Sequence, residues 1–140
     1  PRSWIAAVME RESGGKIEAV SPTGALGPMQ LTSHIYLAKG PFREAINPFV
    51  ASDAIDRGAH LLKILGDKYH GDIEKIAAAY HDGEPKVDAL IERNGRAWKV
   101  GLDPKLVQNY IAPIAACVTS TASTVATIPL SARRLAGERL

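Results

Sequence analysis

The segment ESGGKIEAVSPTGALGPMQ, residues 12–30, decides how the rest of the chain is read. A carboxylate opens it, a Gly/Pro/Ser-rich loop of about fifteen residues follows, and a polar amide, Gln30, closes it. Loops of that length without periodicity are uncommon in compact domains and are usually functional or disordered. Helical patterns bracket this one, which points to function. Upstream, Trp4, Ile5, Val8 and Met9 recur at helical spacing, and Glu12 shares their face because it follows Val8 by four positions and Met9 by three. Glu10 and Arg11 turn away from the centre of that face. A carboxylate beside an indole and branched aliphatics loses hydration, which disfavours its charged form and raises its pKa. Such a group can hold a proton near neutrality and act as a general acid. The plainer alternative is that helix 1 ends here and Glu12 reaches solvent over its last turn.

Outward from the loop, the chain reads as helices. The first is expected from the N-cap Ser3 to Glu12, stopped by Gly14-Gly15. Ser21-Pro22-Thr23-Gly24 is rich in turn formers, Ala25 and Gly27 are small enough for close backbone approach, and Pro28 can start a short helix that aims Gln30 toward Glu12. Residues 34–46 are weakly patterned, a mixture of loop and short helix. Asn47-Pro48 is read as an N-cap with Pro in the first turn of a core helix, whose stripe is Ala51, Ala54, Ile55, Gly58, Leu61, Leu62 and Leu65. Asp53, Asp56, Arg57 and Lys63 fall mostly outside that stripe, and His60 at its edge is a boundary residue rather than a metal ligand. A turn and cap at Tyr69-His70-Gly71-Asp72 lead into a helix carrying Ile73, Ile76, Ala77 and Tyr80, whose alanines 77–79 permit close packing. A short helix with Val87, Leu90 and Ile91 ends near Asn94-Gly95, and Trp98 is read as a core plug in preference to a sugar platform. Asp103-Pro104 caps a last helix with Leu106, Val107, Tyr110, Ile111, Ile114 and Ala115 on its apolar side. From Thr119 to Thr127 the composition predicts a linker or extended tail, with a short charged helix over Pro129–Leu140.

A chain of 140 residues suits one domain with its own core, and 46% hydrophobic with 23% charged residues is ordinary for a globular protein. Seventeen basic against fifteen acidic residues, spread along the chain, lack the clustered basic face that nucleic acid requires. The single cysteine, Cys117, excludes an intramolecular disulfide and is expected to be a small buried hydrophobe. No apolar run reaches membrane-spanning length and no export signal is visible, so a chain opening at Pro1 reads as a mature or trimmed fragment.

Several motifs resemble one family in the same order. Glu12-Ser13, then Ser21-x-x-Gly24-Ala25-x-Gly27-x-Met29-Gln30, resembles the E-S…S-x-x-G-A-x-G-L-M-Q pattern of soluble lytic transglycosylases with a goose-type-lysozyme-like fold. Tyr69-x-Gly71-Asp72 and Ala78-Ala79-Tyr80 resemble that family's Y-x-G-D and A-A-Y-N-A-G motifs. Several multi-residue matches in register carry more weight than one short motif. This sequence departs from the pattern at Pro28 in place of Leu, at Thr32-Ser33 in place of Met-Pro, and at His81-Asp82-Gly83-Glu84-Pro85 in place of N-A-G-P. The first two should reshape the groove floor and the third changes the groups beside Tyr80.

The resemblance implies an all-α, lysozyme-like fold of about six helices around a cleft, with at most a minor β-hairpin between residues 12 and 30. Residues 1–118 would form the catalytic domain and 119–140 a tail. It implies cleavage of peptidoglycan glycan strands by one acid, Glu12, with Ser21, Gln30 and Thr32 at the substrate loop, Tyr80 contacting the catalytic carboxylate, and Tyr110 lining the cleft. His81, standing for an asparagine, becomes a sugar contact whose charge would make activity pH-dependent. No metal or organic cofactor is needed, and a monomer is expected. Cell-wall action implies a periplasmic, wall-associated or phage-delivered protein, working in wall recycling, secretion-system assembly or phage entry. Two alternatives stay open: a muramidase in which Asp82 or Glu84 activates water, and a non-catalytic wall-binding scaffold.

Overall fold

The computed structural model describes residues 2–126. Helix α1 spans Arg2–Ser13, α2 Ser33–Tyr36, α3 Ala51–Lys68, α4 Ile73–Asp82 and α5 Glu84–Asn94; a 3₁₀ segment, Gly95–Gly101, comes next. The last helix is continuous but changes pitch, with α6 at Pro104–Leu106, a π turn at Val107–Ile111 and α7 at Ala112–Ala126. The fold is all-α: the expected hairpin reduces to two isolated antiparallel bridges, Val20 with Leu26 and Leu26 with Leu31, and no strand forms among the described residues.

Helix α4 is the centre of the packing. It lies against α3, α5 and α7, while α1 packs on α7 and α3. Its alanines make this close approach feasible: Ala77, Ala78 and Ala79 are buried, and Ile76 points inward beside them. Asp72 caps α4 by accepting from the Lys75 N–H, as its place before Ile73 predicts. Tyr69 ends α3 buried, and its phenol donates to Asp88 of α5, so the turn at residues 69–72 joins three helices. Trp98 is 4% exposed and serves as the core plug.

The loop from Gly14 to Thr32 folds around Met29, which is fully buried, with Pro28 and Leu31 beside it. Met29 can enter because Gly58 of α3 has no side chain; a Cβ there would lie 2.6 Å from the Met29 Cε and 3.1 Å from the Tyr80 hydroxyl. Gly27 is equally constrained, with φ +75 and a would-be Cβ 1.8 Å from the Pro48 carbonyl oxygen.

Several expectations need correction. Pro28 starts no helix: residues 27–30 form a turn, Gln30 takes φ +48, and the chain returns to pair Leu31 with Leu26. Burial of Met29 and Leu31 on either side of Gln30 favours that reversal over a helical turn. Asn47-Pro48 does not open α3 either. The Asn47 side chain accepts from Phe49 N in a local Asx turn, and Val50 precedes the first helical residue. Arg57 is buried at 8% exposure; its guanidinium donates to the carbonyls of Ile35 and Glu44 at 2.6 Å each and lies 4.5 Å over the Phe42 ring. The Ile35 carbonyl belongs to the short α2 and the Glu44 carbonyl to the irregular segment after it, and their need for donors explains an arginine inside. His60 is exposed and packs edge-on against Phe42. Cys117 is exposed on α7, because the buried face of that helix is set by Ile111, Ile114 and Val118. The linker expected from Thr119 is helical through Ala126, continuing α7; the helix expected over Pro129–Leu140 lies outside the described residues.

Gly27 and Gly24 make a matched test. Both have positive φ, yet nothing lies within 4 Å of a Cβ on Gly24. Gly24→Ala should cost about 1 kcal/mol for the left-handed backbone alone. Gly27→Ala should cost about 3 kcal/mol or more, since backbone must also move. Urea unfolding of the two variants beside the native chain measures the difference.

Candidate active site

Glu12 sits in the last turn of α1, half-buried, at the end of the stripe that carries Val8. Gly14, with φ +62, turns the chain away, and its N–H still closes on the Glu10 carbonyl. Ser13 then clips this corner to the loop, its hydroxyl donating to the Pro28 carbonyl at 2.7 Å and accepting from Gly15 N. The carboxylate accepts a short hydrogen bond from the Tyr110 hydroxyl, which arrives from the π turn 98 positions further on. Burial raises the Glu12 pKa, while the Tyr110 bond and the charge of His81 pull it back part of the way. Tyr110 and Tyr80 are both raised well above the usual phenol range, chiefly by burial and then by the Glu12 charge, so both remain donors.

A cleft of about 310 Å³ opens over Glu12. Every site residue expected from the sequence lines it: Glu12, Ser21, Gln30, Thr32, Tyr80, His81 and Tyr110. Their contacts differ from the expected roles. The phenol bonded to Glu12 is Tyr110; the Tyr80 hydroxyl donates instead to the Met29 carbonyl at 2.9 Å and so holds the loop. Gln30 is not stretched toward Glu12. Its amide nitrogen donates to the carbonyls of Ala19 at 3.2 Å and Gly27 at 3.0 Å, leaving the amide oxygen as the group it can offer a sugar. Ser21 is also partly engaged, accepting from Ala25 N and bonding the Thr23 hydroxyl at 3.0 Å. Thr32 precedes α2 without a side-chain cap bond, which leaves its hydroxyl for the cleft.

Arg11, Thr23 and Ala25 line the same cleft. Thr23 was visible only as a turn residue, and Ala25 as a small residue of the loop motif. Arg11 gave no signal at all, because its position lies off the apolar stripe and the cleft wraps round the helix end to reach it. Among the described residues no group of three His, Cys, Asp or Glu side chains could hold a metal ion, and no helix is long and apolar enough to cross a membrane. An apolar groove of about 330 Å³ between α1 and α3, lined by Trp4, Ile5 and Leu62, has one carboxylate, Asp67, already paired with Lys63.

One carboxylate with a raised proton affinity, two phenols and a rim of hydroxyls and amides suit acid–base work on a polar, neutral substrate such as a glycan. A family model described as the transglycosylase SLT domain matches residues 1–99, which takes in Glu12, the loop, Tyr80 and His81 and stops short of Tyr110. No solved structure matches the chain. The match spans most of the 140 residues, and the chain therefore belongs to the transglycosylase SLT domain family, a family of lytic-transglycosylase-type, peptidoglycan-related activity.

Proposed function

We propose that the protein is a peptidoglycan lytic transglycosylase, a carbon–oxygen lyase that cleaves the β-1,4 bond between N-acetylmuramic acid and N-acetylglucosamine without water. The observation that carries this reading is the carboxylate inventory of the cleft: among the described residues lining it, Glu12 is the single acid. Hydrolysing glycosidases use two carboxylates, one to donate a proton and one to activate water or attack carbon. One suffices when the nucleophile is part of the substrate. Glu12 protonates the glycosidic oxygen as its bond to C1 breaks. The resulting carboxylate then takes the proton of the muramic acid 6-hydroxyl, whose oxygen closes onto C1 to give a 1,6-anhydro ring. The proton lost in the first step is regained in the second, and an attached hydroxyl has a large proximity advantage over bulk water. The substrate's acetamido oxygen can shelter the cationic centre between the two steps.

The muramidase alternative needs Asp82 or Glu84 at the reacting carbon. Asp82 is bonded to Lys86 at 2.5 Å and to His81 at 2.9 Å, and Glu84 is bonded to Lys68 at 2.6 Å beside a different pocket. Both are committed elsewhere, which favours the one-acid route. Peptidoglycan strands are thus the proposed partner, with delivery to the wall by export or by a phage particle.

Mass spectrometry of soluble products from purified peptidoglycan tests the reading. The native chain should release fragments ending in anhydromuramic acid, lighter by one water than hydrolytic ones, and Glu12→Gln should release none. Reducing-end fragments would favour the muramidase, and no products from the native chain would favour a binding scaffold.

The raised Glu12 pKa has two further measurable outcomes. An acid whose folded pKa lies above its unfolded one costs stability once pH exceeds the unfolded value, and the cost is complete above the folded value. Glu12→Gln keeps an oxygen for Tyr110 and removes that cost. It should melt higher at neutral pH, by roughly 2–4 °C, and the gain should vanish in acid below the ordinary glutamate range; calorimetry across pH measures it. Tyr110→Phe removes a bond that lowers the Glu12 pKa. The alkaline limb of its rate profile should move up by about one pH unit, and its plateau should fall about tenfold from lost orientation.

A further inference from the structure

Helix α4 ends in Tyr80-His81-Asp82, and the two residues after Tyr80 form a dyad. The His81 Nδ1 lies 2.9 Å from one Asp82 oxygen, and Lys86 Nζ lies 2.5 Å from the other. Burial alone would raise the Asp82 carboxyl, yet the bonds from Lys86 and His81 outweigh it and hold the group below its usual range. Asp82 is therefore a fixed anion. A carboxylate only accepts, so Nδ1 carries a proton and donates to Asp82. The His81 ring also meets the Tyr110 ring, with centroids 4.9 Å apart and planes at 62°. Tyr110 in turn donates to Glu12, so His81 and Glu12 touch the same phenol and line the same cleft. The other charged or titratable groups near His81 are Lys86 from the start of α5, Tyr80 of its own helix, and Arg11 beside Glu12 on α1.

We propose that His81, clamped by Asp82, is a positioning residue for Glu12: it braces Tyr110, the phenol that donates to the acid, and places a positive charge in the same cleft, setting the pH range in which Glu12 carries its proton. Its kinetic consequence rests on the transglycosylase reading, whereas its electrostatic consequence does not. A positive imidazole near the acid favours the Glu12 carboxylate, which cannot donate a proton, over the protonated form, which can. The asparagine that the resemblance leads one to expect at this position would keep a polar contact and lose the coupling. The charge of His81 thus narrows the alkaline side of the working range, and Asp82 holds the ring in place. The burial of Glu12 supplies the opposing push, and the balance between them is what substitution at residue 81 shifts.

The test uses the full chain, with Glu12 followed through its carboxyl carbon by ¹³C NMR as pH is varied. In His81→Asn and in His81→Gln the Glu12 midpoint should rise by about half a pH unit to one pH unit, and the difference from the native chain should shrink in 1 M salt, as a charge effect across a partly solvated cleft must. The alkaline limb of peptidoglycan cleavage should move up by the same amount. An unmoved or lowered midpoint in both variants overturns the proposal, as does a rise that salt leaves unchanged, which would mark a packing effect. A moved midpoint in a chain that cleaves nothing upholds the coupling and removes the transglycosylase reading; cleavage with an unmoved midpoint does the reverse.

Discussion

Met29 lies wholly inside the core, and the placement of the cleft depends on it. A loop as long as the one from Gly14 to Thr32 would ordinarily move, since few apolar contacts restrain such segments. Here the loop is tied from four directions. The Met29 side chain fills the space left by Gly58, and its carbonyl accepts from Tyr80. Ser13 holds the Pro28 carbonyl, and Gly27 rests against Pro48. Each contact joins the loop to a different element, α3, α4, α1 and the segment before α3 in turn. Ser21, Thr32 and the Gln30 amide oxygen thereby acquire fixed positions, although they lie on irregular backbone. Groups that are to hold the proposed glycan need such support.

The second constraint is electrostatic. An acid used twice, first as donor and then as acceptor, works best with an intermediate proton affinity, because either extreme disables one half of the cycle. Burial alone pushes Glu12 toward the protonated form. The Tyr110 bond favours the carboxylate and also fixes which oxygen faces the cleft. Environment and partner act in opposite directions on one group, which is how a single carboxylate can serve both roles.

Local features were the legible ones in the sequence. Glu12 was readable because Val8 and Met9 share its face, and α4 because Asp72 caps a periodic stripe. The irregular segments were not. Pro28 and Asn47-Pro48 carry helix-start signals, and tertiary burial of Met29 and the Asx turn at Asn47 overrode them. Arg57 looked like a surface residue because charge normally excludes burial; only its bonds to the carbonyls of Ile35 and Glu44 explain it, and they are unreadable from one sequence. Composition read residues 119–126 as linker, since Thr, Ser and Val have modest helix propensity, but continuation from a docked helix lowers the cost of each added turn. The expected site residues line one cleft, but the hydrogen bond to Glu12 expected of Tyr80 comes from Tyr110. Motif order can place Tyr80 and Tyr110 in one cleft, but which phenol reaches Glu12 depends on angles that spacing does not encode.

Those angles come from the π turn at Val107–Ile111. π turns are rare, because their hydrogen bonds fit poorly, and they concentrate at functional positions. In a regular helix the apolar stripe of residues 106–115 would continue in one register. Widening one turn rotates the residues beyond it relative to those before it, so that Tyr110 and Ile111 point inward from the wide turn while Ile114 and Val118 still reach the core. Those apolar residues anchor the last helix, and the phenol is carried to Glu12 from beyond the part of the chain the family model covers. The site is therefore complete only when the last helix is docked on α1, and the two ends of the described chain assemble the acid together. Loosening that contact would not remove the acid. It would remove the bond that favours the Glu12 carboxylate and leave that carboxylate unoriented, so activity should be more sensitive than stability to changes along the α1–α7 seam.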